Sequence, residues 1–291
     1  MFTPRFESFS AAGVPPVGPG SVPVQTWTDL ADVVCAHAYA GEGWWAMELT
    51  QLASFRLDLS SRHTIRVFAR PGASRELIED LYRRSVVPLF MQALGRETLH
   101  ASAVRSERGV LAFCGDRGTG KSTIAYALAR RGLAQHADDA LVLSLDSGDV
   151  RTVPLQFTPR LRPAARTFFG HGTGISEFPE RVGSSSRPDA GAEPLATIFI
   201  LRRDDACVAP SVRELAPPAA FEVLLRHAHC FEPGNPVQRR RLLQNYLDIS
   251  TRIPIYEVEF ASGLDALDGL LDELLHVSGS RETVTTERGA R

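Results

Sequence analysis

Residues 109–122 read Gly109-Val110-Leu111-Ala112-Phe113-Cys114-Gly115-Asp116-Arg117-Gly118-Thr119-Gly120-Lys121-Ser122. The run from Gly109 to Cys114 is continuously apolar and stops at a glycine, the pattern of a strand buried on both faces. From Ser122 to Arg131, Ile124, Ala127 and Leu128 share one helical face, and Gly132 stands where a helix C-cap glycine belongs. Strand, glycine-rich loop and helix follow one another directly, which predicts an α/β chain.

Gly115 to Ser122 fits GxxxxGK[ST] at every required position. Glycines in such a loop let backbone N–H groups curl around phosphate oxygens without Cβ clashes. The following helix aims its unpaired N–H groups and positive dipole end at the same point. The pattern therefore predicts a nucleoside triphosphate with Mg²⁺, taken as ATP in the kinase reading below, cradled by Gly115, Asp116, Arg117, Gly118, Thr119, Gly120, Lys121, Ser122 and Thr123. Lys121 neutralises the β and γ oxygens and Ser122 ligates the metal. Lys121 is the only lysine in the chain and every other basic residue is arginine, which marks a position that needs a compact ammonium rather than a planar guanidinium.

On the downstream side, Ala137-Asp138-Asp139 precedes the alternation of Leu141, Leu143 and Leu145, so a second strand is predicted to start near the aspartates. Neighbouring carboxylates can divide two tasks, holding a metal and accepting a proton from an attacking hydroxyl. Asp139 is the candidate Mg²⁺ ligand beside Ser122, and either aspartate is a candidate base. A solvated turn is the plainer reading of an Asp pair, but its place just beyond the loop helix favours the chemical one. On the upstream side, His100 in Leu99-His100-Ala101-Ser102-Ala103 is flanked by small or apolar residues, as in a strand that reaches a site. Arg160 and Arg162 are candidates for meeting a transferring phosphoryl group, or plain surface arginines. Helical spacing puts His227 and Cys230 on one face without third and fourth ligands, and His229 completes no zinc site.

Further out, apolar residues between Trp27 and Arg70 come in short alternating groups that predict strands. Ser74 caps a helix carrying Leu77, Ile78, Leu81, Tyr82 and Val86 up to Pro88, which is expected to end or kink it, and a second short helix reaches Leu94. Ala196–Leu201 reads as a buried strand. Asn235 and Pro236 open a helix carrying Leu242, Leu243, Tyr246 and Leu247, with arginines 239–241 on its wet face. Tyr256, Val258 and Phe260 mark a strand, and Leu264, Leu267, Leu271 and Leu274 a last amphipathic helix. Gly170–Glu193, rich in Gly, Ser and Pro, reads as a mobile flap or an idle loop. The expected division is a loose leader at 1–20, a small α+β region at 21–95, a catalytic domain at 96–277 and a disordered tail at 278–291.

A hydrophobic share of 44% supports a substantial core, and a formal net charge of −2 gives no reason to expect a nucleic acid partner. Cys35, Cys114, Cys207 and Cys230 are far apart and form no CxxC pair, so neither a disulfide framework nor a zinc ribbon is indicated, and a reducing cytoplasm fits. Residues 1–20 show no continuous apolar stretch of the kind a signal peptide or membrane anchor needs. No internal repeat is present.

The string from Leu99 to Asp139, with LHASAV, GDRGTGKST, ARRG and ADD in this order, resembles the catalytic domain of HPr kinase/phosphorylase and its shorter relatives, the HPr-kinase-like serine kinases. The resemblance is specific over residues 99–145 and looser over Pro194–Leu201. It implies a P-loop kinase core of HPr kinase type, a mixed sheet flanked by helices. It also implies that His100, Lys121, Asp138 and Asp139 act together: one aspartate is the base toward a serine hydroxyl, and the histidine hydrogen-bonds it. Thr123 stands where the bifunctional enzymes usually carry Glu, and their downstream glycine-rich signature is not found, so the chain looks closer to the short relatives. Some of those are encoded with ribosomal-peptide maturation enzymes and phosphorylate a serine on a peptide. The expected partner is thus a serine-bearing peptide or protein, with no nucleic acid and no membrane, and a homo-oligomer is left open. Two other readings exist. One is a non-catalytic ATP-binding module that regulates a partner protein. The other is a phosphoenolpyruvate-carboxykinase-like enzyme, whose further metal and carboxylate-binding motifs are missing.

Overall fold

The computed structural model describes residues 3–7, 17, 21–29, 31–60, 64–145, 148–157, 159, 161–170 and 192–279. Two sheets organise them. The first has six strands: β1 (Thr3–Glu7), β2 (Gln25–Thr28), β3 (Val34–Gly41), β4 (Trp44–Leu49), β5 (Ala53–Asp58) and β6 (Thr64–Ala69). Its order is β1-β6-β5-β4-β3-β2, an antiparallel meander from β2 to β6 with β1 added parallel to β6. Thr3–Glu7, expected within a loose leader, is thus an edge strand, because a ladder edge offers hydrogen bonds to an extended chain whatever its sequence. Residues 8–16 and 18–20 of that leader lie outside the described residues.

Period-two alternation puts Trp45, Met47, Phe55, Leu57, Ile65 and Val67 on one buried face. A helical rod covers that face: α1 (Arg75–Leu81), a π-helical turn (Tyr82–Val86) and α2 (Val87–Ala93), contributing Ile78, Tyr82, Val86, Leu89 and Phe90. Ser74 accepts a hydrogen bond from the Leu77 N–H as the expected cap. Pro88 does not end the rod. The Val87 N–H reaches back five residues to the Tyr82 carbonyl, and this wider π turn takes up the missing proline N–H and the bulk of its ring.

The second sheet is mixed and has nine strands: β7 (Glu97–Leu99), β8 (Ala101–Ser106), β9 (Gly109–Gly115), β10 (Ala134–Ala137), β11 (Leu141–Ser144), β12 (Arg151–Val153), β13 (Glu193–Arg203), β14 (Ser211–Glu214) and β15 (Ile255–Phe260). Strands β9, β13 and β15 are parallel neighbours, while β8 and β10 continue the sheet antiparallel on the other side of β9. Helices cover both faces. On one, α3 (Lys121–Arg130) and α7 (Leu267–Val277) pack Ile124, Leu128, Leu271 and Leu274 against Leu111 and Phe113. On the other, α5 (Pro217–His227) and α6 (Pro236–Arg252) pack Leu224, Leu242, Tyr246 and Ile249 against Val110, Ala112 and Cys114. A short α4 (Pro163–Phe168) lies near the end of α3, where Phe169 rests against Tyr126. Both faces of β9 are buried, as its unbroken apolar run requires.

Several local expectations need correction. A strand does start near the aspartates, β11 beginning two residues beyond Asp139, but all four of its residues are buried rather than alternating, because this strand is covered on both sides. In α6, Leu243 and Leu247 are exposed and the buried stripe is Leu242, Tyr246 and Ile249. Arg241 is not on the wet face, since its guanidinium donates to the Gln92 carbonyl at 2.9 Å and ties α6 to α2. The expected flap falls almost wholly on residues 171–191, outside the described residues, as do 280–291 of the expected tail. No described helix is long and apolar enough to cross a membrane.

Candidate active site

The register of the second sheet sets out one row of groups along the edge where β9, β13 and β15 end. Ala101 pairs with Cys114 and Ala137 with Ala103, while Leu201 pairs with Gly115 and Arg203 with Phe260. Asp138 and Asp139 therefore follow β10 at the edge where His100 precedes β8 and the glycine-rich loop leaves β9. The loops after β13 and β15 lie on the far side of that loop. Apart from the buried Asp138, these elements open on a cleft of ≈ 2080 Å³ whose walls include His100, residues 117–124, Asp139, Arg162, Arg203 and His229.

The glycine-rich loop is wound as its sequence demands. Gly115, Gly118 and Gly120 have φ of 152°, 96° and 109°, backbone states costly for residues with a Cβ. A Cβ on Gly115 would come 2.8 Å from the Leu201 carbonyl oxygen, and one on Gly118 3.1 Å from both terminal nitrogens of Arg162. Arg162 thus lies directly over the loop, while Arg160 is outside the described residues. Arg203 reaches the loop from β13, its Nε donating to the Thr119 carbonyl at 3.3 Å.

Lys121 opens α3 and is buried, its Nζ donating to the carbonyls of Gly115 at 2.7 Å and Asp116 at 3.2 Å. Burial holds this ammonium below its ordinary pKa, with Asp139, Asp116 and Asp138 among the groups pulling it back. Directly beneath, burial pushes the Cys114 thiol up to about 12, so it stays protonated.

The two aspartates have different surroundings. Asp138 is buried and accepts a hydrogen bond from Ser102 Oγ at 2.7 Å, and that hydroxyl is 3.4 Å from Ser122 Oγ. A polar chain Asp138–Ser102–Ser122 therefore runs under the loop. Asp139 lines the open cleft and adopts a left-handed backbone with φ of 65°. Asp tolerates this conformation better than most residues, and such states concentrate at functional sites. Its carbonyl oxygen is 2.9 Å from His100 Nδ1. Because a carbonyl only accepts, Nδ1 carries the proton and Nε2 a lone pair. Burial, then the nearby Lys121 charge, lower the His100 pKa, so the ring is neutral at pH 7.

His229 joins this group although its sequence spacing argued only against zinc. The connection after α5 docks beside β7, where the His229 N–H donates to the Thr98 carbonyl and the His100 N–H to the His227 carbonyl, both at 2.8 Å. The His229 ring then meets the His100 ring edge-on at 6.0 Å, and burial lowers its pKa to about 4. No local pattern announces this contact, since its two residues are far apart in the chain. Ser102 had a signal: strand alternation puts it two residues from His100 and on the same side of the chain. Among the described residues no three His, Cys, Asp or Glu side chains converge as a metal-binding group.

Similarity to known proteins is sparse. No protein-family model matches the chain, and no curated protein matches it. Among solved structures, that of the Hpr(Ser) kinase/phosphatase from Coxiella burnetii aligns over 62% of this chain and 89% of that chain, with a TM-score of 0.33 and 14% sequence identity. So distant a likeness leaves the functional reading to the residues themselves.

Proposed function

We propose that the chain is an ATP-dependent kinase that transfers the γ-phosphoryl group to a serine hydroxyl of a peptide or protein, by a P-loop site of HPr kinase type. The observation that carries the reading is the convergence, at one cleft, of the glycine-rich loop, the buried Lys121, the neutral His100 and the cleft-facing Asp139. Residues 115–123 hold the triphosphate, and the Lys121 ammonium exchanges its loop carbonyls for phosphate oxygens.

Mg²⁺ fits the donor set. Hydroxyl and carboxylate oxygens are the hard ligands this ion prefers, and it uses few protein groups because phosphates and water supply the rest. Ser122, with Asp138 linked to it through Ser102, would hold the ion, which neutralises charge on the β and γ phosphates when bound. This moves the metal role expected of Asp139 to Asp138 and leaves Asp139 as the base.

The acceptor hydroxyl loses its proton to the Asp139 carboxylate as its oxygen bonds to the γ-phosphorus, the bond to the β–γ bridging oxygen breaks, and ADP leaves. His100 fixes the Asp139 backbone through its carbonyl, and the Arg162 and Arg203 guanidiniums answer the charge spread over the transferring group. The test is transfer of label from γ-labelled ATP to serine peptides by wild type, Asp139→Asn and Asp138→Asn. The reading requires that Asp139→Asn binds ATP but transfers no label. Transfer at wild-type rate in that variant would refute the assignment of the base, and ATP binding without transfer to any acceptor would favour the non-catalytic module.

A further inference from the structure

The cleft is much larger than a nucleotide needs. Its ≈ 2080 Å³ exceeds the ~300–1,000 Å³ of ordinary small-ligand pockets, and the strand order divides it about the glycine-rich loop. On one side are the turns after β13 and β15. On the other are Asp139, His100 and His229, and beyond them the first sheet. The 228–231 connection joins the two: His229 meets His100, and Phe231 stacks on Trp45 of β4 at 4.1 Å. The far wall of the acid side is therefore built by the N-terminal region, including Trp27, Val33, Val34, Leu52, Leu81 and Arg84.

Three features of this wall bear on what occupies it. First, β2 is the last strand of its sheet, no strand pairs with its outer side among the described residues, and Gln25, Trp27 and Thr28 face the cleft. Such an edge hydrogen-bonds an extended backbone of any sequence, while neighbouring side chains select among sequences. Second, Val33 and Val34 beside it are 58% and 37% exposed, an apolar surface suited to apolar side chains and not to a sugar or a nucleic acid. Third, the π turn Tyr82–Val86 sets Arg84 both in this wall and in a small recess shared with Asp138 and Asp139, and π turns are frequent at functional sites.

We propose that the N-terminal half of the cleft is the acceptor site, and that the acceptor is an extended peptide segment. It adds to the β2 edge, sets apolar side chains against Val33 and Val34, and passes Arg84 to present its serine at Asp139. The last step rests on the kinase reading above; the docking does not.

The probe is a fluorescein-labelled library of short serine-centred peptides with varied flanking residues, titrated into the full chain by anisotropy without nucleotide, then incubated with γ-labelled ATP and Mg²⁺. Peptides with apolar residues at alternate positions bind best. Val34→Asp and Val33→Asp, both surface changes, raise their Kd about tenfold while ATP affinity and melting temperature stay at wild-type values. N-methylation of alternate peptide amides weakens binding in one phase and not in the other. Equal binding to wild type and Val34→Asp, indifference to N-methylation, or no binding by any library member overturns the proposal. Val34-dependent binding without label transfer upholds the docking site and overturns the kinase reading, so the two failures are distinct.

Discussion

Replacing Lys121 with Met tests whether the buried ammonium serves the fold or a phosphate. Its two hydrogen bonds to the Gly115 and Asp116 carbonyls are each of a kind that contributes about 1.5–3 kcal/mol. Against this, burying an ammonium costs several kcal/mol after relaxation. The lowered pKa says which wins: in the folded chain the charged form is disfavoured relative to water. The sign for pH follows. Stability is reduced while the folded lysine is charged, and it rises as pH climbs from the folded pKa toward the ordinary 10.5.

Lys121→Met removes that penalty but takes the lysine donor from the Gly115 carbonyl at the buried end of β9, while the Asp116 carbonyl belongs to an exposed residue. The two effects offset, so without nucleotide it should melt within about 2–4 °C of wild type, less than ~1 kcal/mol. With ATP and Mg²⁺ at one hundred times Kd, wild type gains about 2.7 kcal/mol, a rise of roughly 5–10 °C for a chain of this size. The variant should shift by less than about 2 °C under the same conditions. Differential scanning fluorimetry reads both quantities. A full nucleotide shift in Lys121→Met, or a large loss of stability without nucleotide, would refute the account of this residue.

Other residues give independent checks. Burial holds His136 and His229 near pKa 4. Between pH 6.5 and about 4 the unfolded chain takes up these protons and the native chain does not, so stability should fall with pH by about 3 kcal/mol per group. Urea melts at several pH values should show a flatter slope for His136→Gln, which can keep the 2.8 Å hydrogen bond to Thr152; an unchanged slope removes His136 as a cause. Ser102→Ala should cost about 1.5–3 kcal/mol and raise the Mg²⁺ concentration needed for transfer, whereas an unaltered Mg²⁺ dependence would break the proposed link from Asp138 to Ser122. Gly115→Ala should destabilise by more than ~2 kcal/mol, because strained φ and a backbone clash add, while Gly132→Ala, also at a positive φ of 103° but with open space around it, should lose only the backbone strain, about 1–2 kcal/mol. Equal losses in a side-by-side denaturant titration would count against the crowding argument.

Much of the local structure was written in short-range patterns. The strand to Gly115 and the helix from Lys121 are legible because both rest on nearest-neighbour periodicity, and the Asn235–Pro236 start is legible because a cap acts within one turn. The π turn was not, because its cause lies in how the rod must lie on the first sheet around Pro88. Nor was the split of the aspartates: adjacent in sequence, they separate because a left-handed turn at Asp139 sends one carboxylate toward Ser102 and leaves the other residue lining the cleft.

By itself the amino-acid order determined the chemical kit: a loop only glycine can wind, one lysine, a histidine and two carboxylates, each readable because backbone strain and charge are properties of single residues. Tertiary structure alone decided how the kit is arranged. Pairing of β10 with β8 and β8 with β9 brings Asp138 beneath Ser122, docking of the 228–231 connection sets His229 on His100, and the first sheet closes the far side of the cleft. Those contacts join residues distant in the chain, where no local period constrains the partner and packing between whole layers selects it.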